Sequence, residues 1–134
     1  MQNEVGARRW LLWLVLANIA ATVLHYVDNI CFFSEYPEPS WATPHLIDAF
    51  WFVMTPVAFA GYLLMRRGFH RWGSLVLCAY AAMSLLALGH YLYAPIASLP
   101  FRINLFILLE AILAVALMAY VSFLGLRSIT RRVA

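Results

Sequence analysis

Long runs of apolar residues, separated by short polar stretches, dominate this sequence. Four of them reach about 20 residues or more, the length that an α-helix needs to cross about 30 Å of hydrocarbon. These runs are Trp10 to Cys31, His45 to Met65, Trp72 to Tyr93 and Ile103 to Leu126. We therefore expect an all-α membrane protein, a bundle of four transmembrane helices that forms a single domain over residues 1–134.

Composition and charge support this class and suggest an orientation. The chain is 65% hydrophobic and 11% charged, with a mean hydropathy of +0.82, which excludes a soluble globular protein. All nine basic residues are arginines, and every one except Arg102 lies on the side of the predicted bundle that carries the termini. By the positive-inside rule we expect a multi-pass protein with both termini in the cytoplasm. The uneven arginines also explain the net charge of +3, so we expect no nucleic-acid partner.

Ionisable residues on all four predicted helices fall at similar depth, toward the same membrane face. They are His25, Asp28, Asp48, His90 and Glu110, with His25 and Glu110 one to two turns deeper than the others. Each such group costs about 2.5–3.5 kcal/mol on insertion scales, so we expect them to form one intramembrane site. On the first helix, one stripe that should face the bundle interior contains Asn18, Thr22, His25 and Asn29.

Three kinds of chemistry fit histidines and carboxylates in an apolar cavity. The first is acid/base catalysis on a lipid-like substrate by His25, Asp28, Asp48 and Glu110. The second is binding of a cationic amphiphile, with Asp28 or Glu110 as counter-ion and aromatic side chains around it. The third is a metal or haem site built from His25, His45 and His90.

Some of these polar residues also have a structural explanation. Asp48 falls in the predicted first turn of the second helix, where a negative charge complements the helix dipole. His45 and His90 suit the headgroup layer, and Arg102 can extend to lipid phosphate. His25, Asp28 and Glu110 are flanked by apolar residues on both sides, so for them we expect a functional polar network.

Several short motifs occur in a fixed order along the chain. Asp28 closes the first helix, Asp48 follows near the start of the second, and Pro56 lies in the middle of it. The other parts are Tyr36-Pro37, Pro39-Ser40-Trp41, and the stretch from Gly61-Tyr62 to Arg66-Arg67-Gly68. This order resembles the EXPERA-domain family, which includes the emopamil-binding sterol isomerase and the sigma-2 receptor.

The resemblance implies a four-helix bundle with a cavity open to the bilayer. There Asp28 and Asp48 would meet the amine of a ligand or the charge that develops on a sterol. In the isomerase branch a histidine helps to shuttle a proton, and His25 is similar to it in type, although its spacing from Asp28 differs. The chain is also shorter than typical members and has a trimmed outer loop.

We therefore expect a cavity that binds a hydrophobic small molecule or membrane lipid, sterol-like, isoprenoid-like or cationic, without a cofactor. Proton-transfer isomerisation is the enzymatic form of this function, and a metal- or haem-binding subunit using His25, His45 and His90 is the alternative. A third possibility is a purely structural subunit whose polar groups hold the helices together. The residues expected to contact the ligand are Tyr26, Trp51, Phe52, Thr55, His90, Tyr91 and Asn104. An alanine stripe on the fourth helix, which offers a face for a homodimer, comprises Ala111, Ala114, Ala116 and Ala119.

Overall fold

The computed structural model describes the backbone of residues 2–133 and the side chains of residues 6–125. Its four α-helices are α1 (Gln2–Cys31), α2 (Pro44–Arg66), α3 (His70–Ser84) and α4 (Phe101–Val133). The third helix continues without a break as a 3₁₀ segment, Leu85–Leu92, and shorter 3₁₀ turns are Phe33–Glu35 and Ile96–Ser98. The backbone of residues 2–133 contains no strand.

Within residues 6–125, four helical segments are long and apolar enough to cross a membrane, as predicted. They are Gly6–Cys31, Pro44–Arg66, His70–Leu92 and Phe101–Gly125. The predicted runs differ from them by four residues at the start of the first span and by at most two elsewhere. Hydrophobic run length alone was therefore sufficient to place the spans.

The third span changes its backbone geometry partway, which the sequence did not predict. Its α-helix ends at Ser84, and the following eight residues, Leu85–Leu92, are 3₁₀-helical. Such segments are usually only three or four residues long, because their hydrogen bonds have poorer geometry. The change stretches the span at the end that carries His90, so the direction of that side chain differs from the one expected for a continuous α-helix.

Local sequence sets where α2 begins. Thr43 caps the helix, since its hydroxyl oxygen accepts a hydrogen bond from the backbone N–H of Leu46 at 3.2 Å, and Pro44 occupies the first turn. No acidic residue lies in that turn. The prediction that Asp48 complements the helix dipole there is wrong, because the capping residue places Asp48 one turn further along.

Two glycines allow α2 and α3 to pack closely as an antiparallel pair. A Cβ atom on Gly61 would lie 2.8 Å from Leu77 Cγ, and one on Gly73 would lie 2.8 Å from the backbone nitrogen of Met65. The turn between the helices contains Gly68, whose φ of 88° is a left-handed conformation that favours glycine. This pair forms one wall of the bundle.

The apolar core lies between all four helices, in the half that carries the termini and the α2–α3 turn. Its fully buried members include Val15, Leu77, Tyr80 and Leu117. On α4, Ala111 and Ala114 are buried within the chain, so part of the alanine stripe serves packing inside the bundle. The other half, which we call the loop end, carries residues 32–43 and 93–100, and the polar residues are concentrated there.

Candidate functional site

A buried polar contact joins α1 to α4 inside the bundle. His25 Nδ1 lies 2.6 Å from Glu110 Oε2, and the two side chains are only 9% and 5% exposed. When the carboxylate accepts this hydrogen bond, Nδ1 carries the proton and Nε2 is the remaining ring nitrogen. Nε2 is buried and has no hydrogen-bond partner. The deeper polar pair of the sequence is therefore in direct contact, with one imidazole nitrogen unused.

The polar row continues from Glu110 toward the middle of the bundle. The Thr22 hydroxyl lies 3.1 Å from Glu110 Oε1 and 3.0 Å from the carbonyl oxygen of Asn18. Ser84 of α3 donates to Asn18 Oδ1 at 3.3 Å. The predicted inward stripe of α1 is confirmed, because Asn18, Thr22, His25 and Asn29 are all buried.

His90, on the 3₁₀ segment, packs against both His25 and Tyr36 of the loop end. Its ring centroid is 5.3 Å from that of His25 and 5.3 Å from that of Tyr36. His90 Nδ1 lies 3.4 Å from the Pro37 carbonyl oxygen and 3.6 Å from Glu38 Oε1. Glu38 also accepts a hydrogen bond from Asn29 Nδ2 at 2.7 Å. The α1–α2 connection thus folds back over the end of α1 and forms part of the site.

Asp28 belongs to a separate ion-pair network at the loop end. Arg102 donates to Asp28 Oδ1 at 2.9 Å and to Glu35 Oε2 at 2.7 Å, and its guanidinium carbon lies 3.7 Å from the centroid of the Phe32 ring. The Tyr36 hydroxyl donates to Asp28 Oδ2 at 2.7 Å. Burial and this hydrogen bond raise the pKa of Tyr36 above its ordinary value. Both oxygens of Asp28 therefore have partners, and Arg102 pairs with protein carboxylates.

Asp48 accepts a short hydrogen bond from the hydroxyl of Tyr26. The Tyr26 ring stacks on Trp51, with centroids 5.0 Å apart and planes inclined by 17°. Trp51 Nε1 is buried and has no hydrogen-bond partner. This contact fixes α1 against the first part of α2 and presents two aromatic rings to the space between them.

A cavity of about 610 Å³ lies between α1, the first half of α2 and the last half of the third span. Its wall is largely apolar, and the polar side chains that reach it are Thr22, His25, Asn29, Glu38, His90 and Glu110. On the outer side, Phe50, Val53 and Leu86 are 44%, 67% and 63% exposed. These exposed lining residues lie on α2 and the third span, whose outer surfaces face lipid chains in a membrane-embedded bundle.

The structure brings some of the predicted site residues together and keeps others apart. Five of them line the cavity: His25, Glu110, Tyr26, Trp51 and His90. Those that do not are Asp28, Asp48, Phe52, Thr55, Tyr91 and Asn104. The prediction treated them as one cluster because sequence gives depth along a helix but not the direction of each side chain around it.

The residues outside the cavity have other contacts. Phe52 is 65% exposed, and the Thr55 hydroxyl donates to the carbonyl oxygen of Trp51 at 3.0 Å. The Tyr91 hydroxyl donates to Asn104 Oδ1 at 3.0 Å. Asn104 Nδ2 donates in turn to backbone carbonyls of residues 96 and 99, at 2.9 and 3.1 Å. Asn104 thus fastens the connection between the third span and α4.

Glu38, Trp41 and Thr22 line the cavity but were absent from the predicted site. Thr22 belongs to the polar stripe of α1, so its spacing carried the necessary signal. Glu38 and Trp41 lie between prolines in the α1–α2 connection, where no periodicity indicates which side chains turn inward. Their inward position results from the tertiary fold of the connection.

The metal alternative receives no geometric support from the side chains of residues 6–125. No group of three or more histidine, cysteine, aspartate or glutamate side chains in that range is placed to hold a metal ion. His25 and His90 are neighbours, but His45 is exposed on α2 and does not line the cavity. The three histidines of the alternative therefore do not converge.

Comparison with known proteins gives no relative from which a role could be transferred. No family model matches the chain, and neither a curated protein nor a solved structure matches it. The resemblance to the EXPERA-domain family therefore stays a prediction from the sequence motifs. The function has to be argued from the cavity and the contacts of the side chains that line it.

Proposed function

We propose that this protein binds a hydrophobic small molecule within its transmembrane bundle and that His25, held by Glu110, moves a proton on that molecule. The observation that supports the proposal is the buried His25–Glu110 contact of 2.6 Å in the wall of a mainly apolar cavity. Ionisable groups in a membrane interior are costly, and they usually mark functional positions.

The size and position of the cavity suit a lipid-like ligand. Its volume of about 610 Å³ falls within the range of roughly 300–1,000 Å³ that is common for small-molecule sites. Exposed apolar side chains of Phe50, Val53 and Leu86 are among its lining residues. They offer a path by which a ligand would enter from the bilayer.

The pairing of the imidazole with Glu110 suits proton transfer. The carboxylate orients the ring by accepting from Nδ1, and it stabilises the positive charge that appears when Nε2 takes up a proton. In an isomerisation, the protonated ring gives its Nε2 proton to one carbon of a double bond. The neutral Nε2 then removes a proton from the carbon beyond the other end, so that the double bond shifts by one position and the ring is protonated again. The product has the same formula as the substrate, so no oxidant or second substrate is required.

This assignment separates His25 and Glu110 from Asp28 and Asp48. Asp28 is held by Arg102 and Tyr36, and Asp48 by Tyr26. We assign both aspartates to the scaffold and the proton transfer to the deeper pair. With both termini in the cytoplasm, as the arginine distribution suggests, the cavity would lie in the outer half of the membrane.

Ligand binding can be tested by filling the cavity. Ala87 lines it, so Ala87→Phe should displace the ligand, whereas Ala82→Phe on the same span is the matched control because Ala82 is exposed and outside the lining. We expect native mass spectrometry of the detergent-purified protein to show an apolar molecule bound to the wild type and to Ala82→Phe, and lost from Ala87→Phe. A wild type without any bound molecule, or equal occupancy in both variants, would overturn the proposal.

Proton transfer can be tested on the same complex in heavy water. If His25 exchanges a carbon-bound proton, an unsaturated bound molecule should gain mass as deuterium enters it. The gain should stop in His25→Gln and persist in His45→Gln, since His45 is exposed and outside the cavity. Deuterium uptake that is unchanged in His25→Gln would show that His25 does not carry the proton.

A further inference from the structure

Three buried polar atoms without hydrogen-bond partners belong to side chains that line the cavity. They are His25 Nε2, Asn29 Oδ1 and Trp51 Nε1. Buried polar atoms are nearly always hydrogen-bonded, because an unpaired one loses its hydration without compensation. All three belong to side chains around one cavity, so they are the positions at which a bound ligand would supply the missing partners.

The chemistry of these atoms defines the complementary group. The indole N–H of Trp51 can only donate, and the amide oxygen of Asn29 can only accept. His25 Nε2 accepts when Nδ1 holds the proton that contacts Glu110. A single group that serves both kinds of atom must accept one hydrogen bond and donate another. A hydroxyl is the simplest such group.

The carboxylates around the cavity argue against a cationic head group. Among the side chains of residues 6–125, each of the five carboxylates already receives a hydrogen bond or contacts a histidine. The donor to Asp28 and Glu35 is Arg102, the donor to Asp48 is Tyr26, and the donor to Glu38 is Asn29. Glu110 contacts His25. An ammonium group has no acceptor, so it would leave the Trp51 N–H without a partner, whereas a hydroxyl can complete a donor and an acceptor alike.

We infer that the ligand is an amphiphile whose uncharged head group both donates and accepts a hydrogen bond, a long-chain alcohol being its simplest form. This inference rests on the proposed binding function and narrows the ligand class. The three atoms are buried in the structure, so the side chains that cover them must move before a head group can contact them. Head-group binding should therefore change the environment of Trp51.

Three probes with the same sixteen-carbon chain test the head group: 1-hexadecanol, its methyl ether and hexadecylamine, which is an ammonium ion at pH 7. Affinity for the detergent-purified protein would be measured by titration under native mass spectrometry at matched mole fractions in the micelle. Each neutral hydrogen bond should change affinity about fivefold. We expect the alcohol to bind about fivefold more tightly than the ether, which cannot donate, and more tightly than the amine.

Trp51→Phe tests the donor on the protein side, and Trp72→Phe is its matched control, because Trp72 is exposed and lies outside the cavity lining. Trp51→Phe should weaken the alcohol and the ether about fivefold each, and Trp72→Phe should leave both within twofold. Equal affinity for all three probes in the wild type would refute the head-group inference and leave cavity binding intact. Tighter binding of the amine would refute the head-group inference in favour of a cationic ligand. If no probe binds, the proposed binding function is refuted as well.

Discussion

Replacing Arg102 by methionine would remove the arginine that contacts both Asp28 and Glu35 at the loop end. Methionine keeps much of the apolar length of the side chain but removes the guanidinium group, whose carbon lies 3.7 Å from the centroid of the Phe32 ring. The change deletes the 2.9 Å hydrogen bond to Asp28 and the 2.7 Å hydrogen bond to Glu35. Asp28 is only 8% exposed, so water cannot easily replace the lost donor.

The magnitude depends on how buried each member of the network is. Breaking a fully buried ion pair by removing one partner costs about 3–5 kcal/mol. The Arg102 side chain is 33% exposed and that of Asp28 is 9% exposed, and the Tyr36 hydroxyl still donates to Asp28 in the variant. We therefore expect Arg102→Met to lower the free energy of unfolding by about 2–3 kcal/mol. The Glu35 side chain is 47% exposed, so Glu35→Gln should cost less than about 1 kcal/mol.

A double-mutant cycle on Asp28 and Arg102 isolates the interaction between them. Unfolding would be followed by far-UV circular dichroism as sodium dodecyl sulfate is titrated into mixed micelles, for the wild type, both single variants and Asp28→Asn/Arg102→Met. We expect the double variant to be more stable than Arg102→Met alone, since Asp28→Asn removes the buried charge that this variant leaves unpaired. A cost below about 0.5 kcal/mol for Arg102→Met, or additive single effects, would refute the assignment of Asp28 to an ion pair.

Three further changes test other parts of the structure. Gly73→Ala should destabilise the α2–α3 pair by about 1–3 kcal/mol, because its Cβ would lie 2.8 Å from the Met65 backbone nitrogen. Gly89→Ala is the control, since a Cβ atom there meets nothing within 4 Å, and it should leave the stability nearly unchanged in the same titration. Tyr36→Phe should cost about 1–3 kcal/mol by leaving Asp28 with one donor fewer; an unchanged unfolding midpoint would contradict this. The raised pKa of Tyr36 means that the folded protein retains the phenol proton above about pH 10, where the unfolded chain loses it. The stability difference between the wild type and Tyr36→Phe should therefore shrink as the pH rises above 10, and a constant difference would count against the buried phenol.

The four spans could be predicted because one simple physical quantity determines them. A helix that crosses a membrane needs a run of apolar residues of fixed minimum length, and the boundaries of such a run can be found without knowing the neighbouring helices. The 3₁₀ segment Leu85–Leu92 could not be predicted, because its residues are as apolar as those of a continuing α-helix. Hydropathy reports burial in lipid but does not distinguish these two backbone geometries.

The site could be predicted only in part. The similar depth of His25 and Glu110 in the sequence indicates their contact, since two ionisable groups at one level of a small membrane bundle tend to lie together. The partner of Asp28 is Arg102, 74 residues away along the chain. Sequence placed Arg102 at the membrane surface, where contact with lipid phosphate was an equally good explanation. Only the packing of α4 against α1 brings the two side chains together.

The two buried carboxylates of α1 and α4 differ in the kind of cation they meet, and this difference decides which of them can take part in chemistry. Asp28 is paired with an arginine, whose guanidinium does not release its proton in proteins, so that contact can only be made or broken. Glu110 is paired with a histidine, which is neutral or positive according to a single proton. That pair can therefore accept and return a proton while both side chains stay in place, and it is the pair that lines the cavity. The loop-end ion pair accordingly secures the scaffold, and the His25–Glu110 pair is the part of the network suited to act on a ligand.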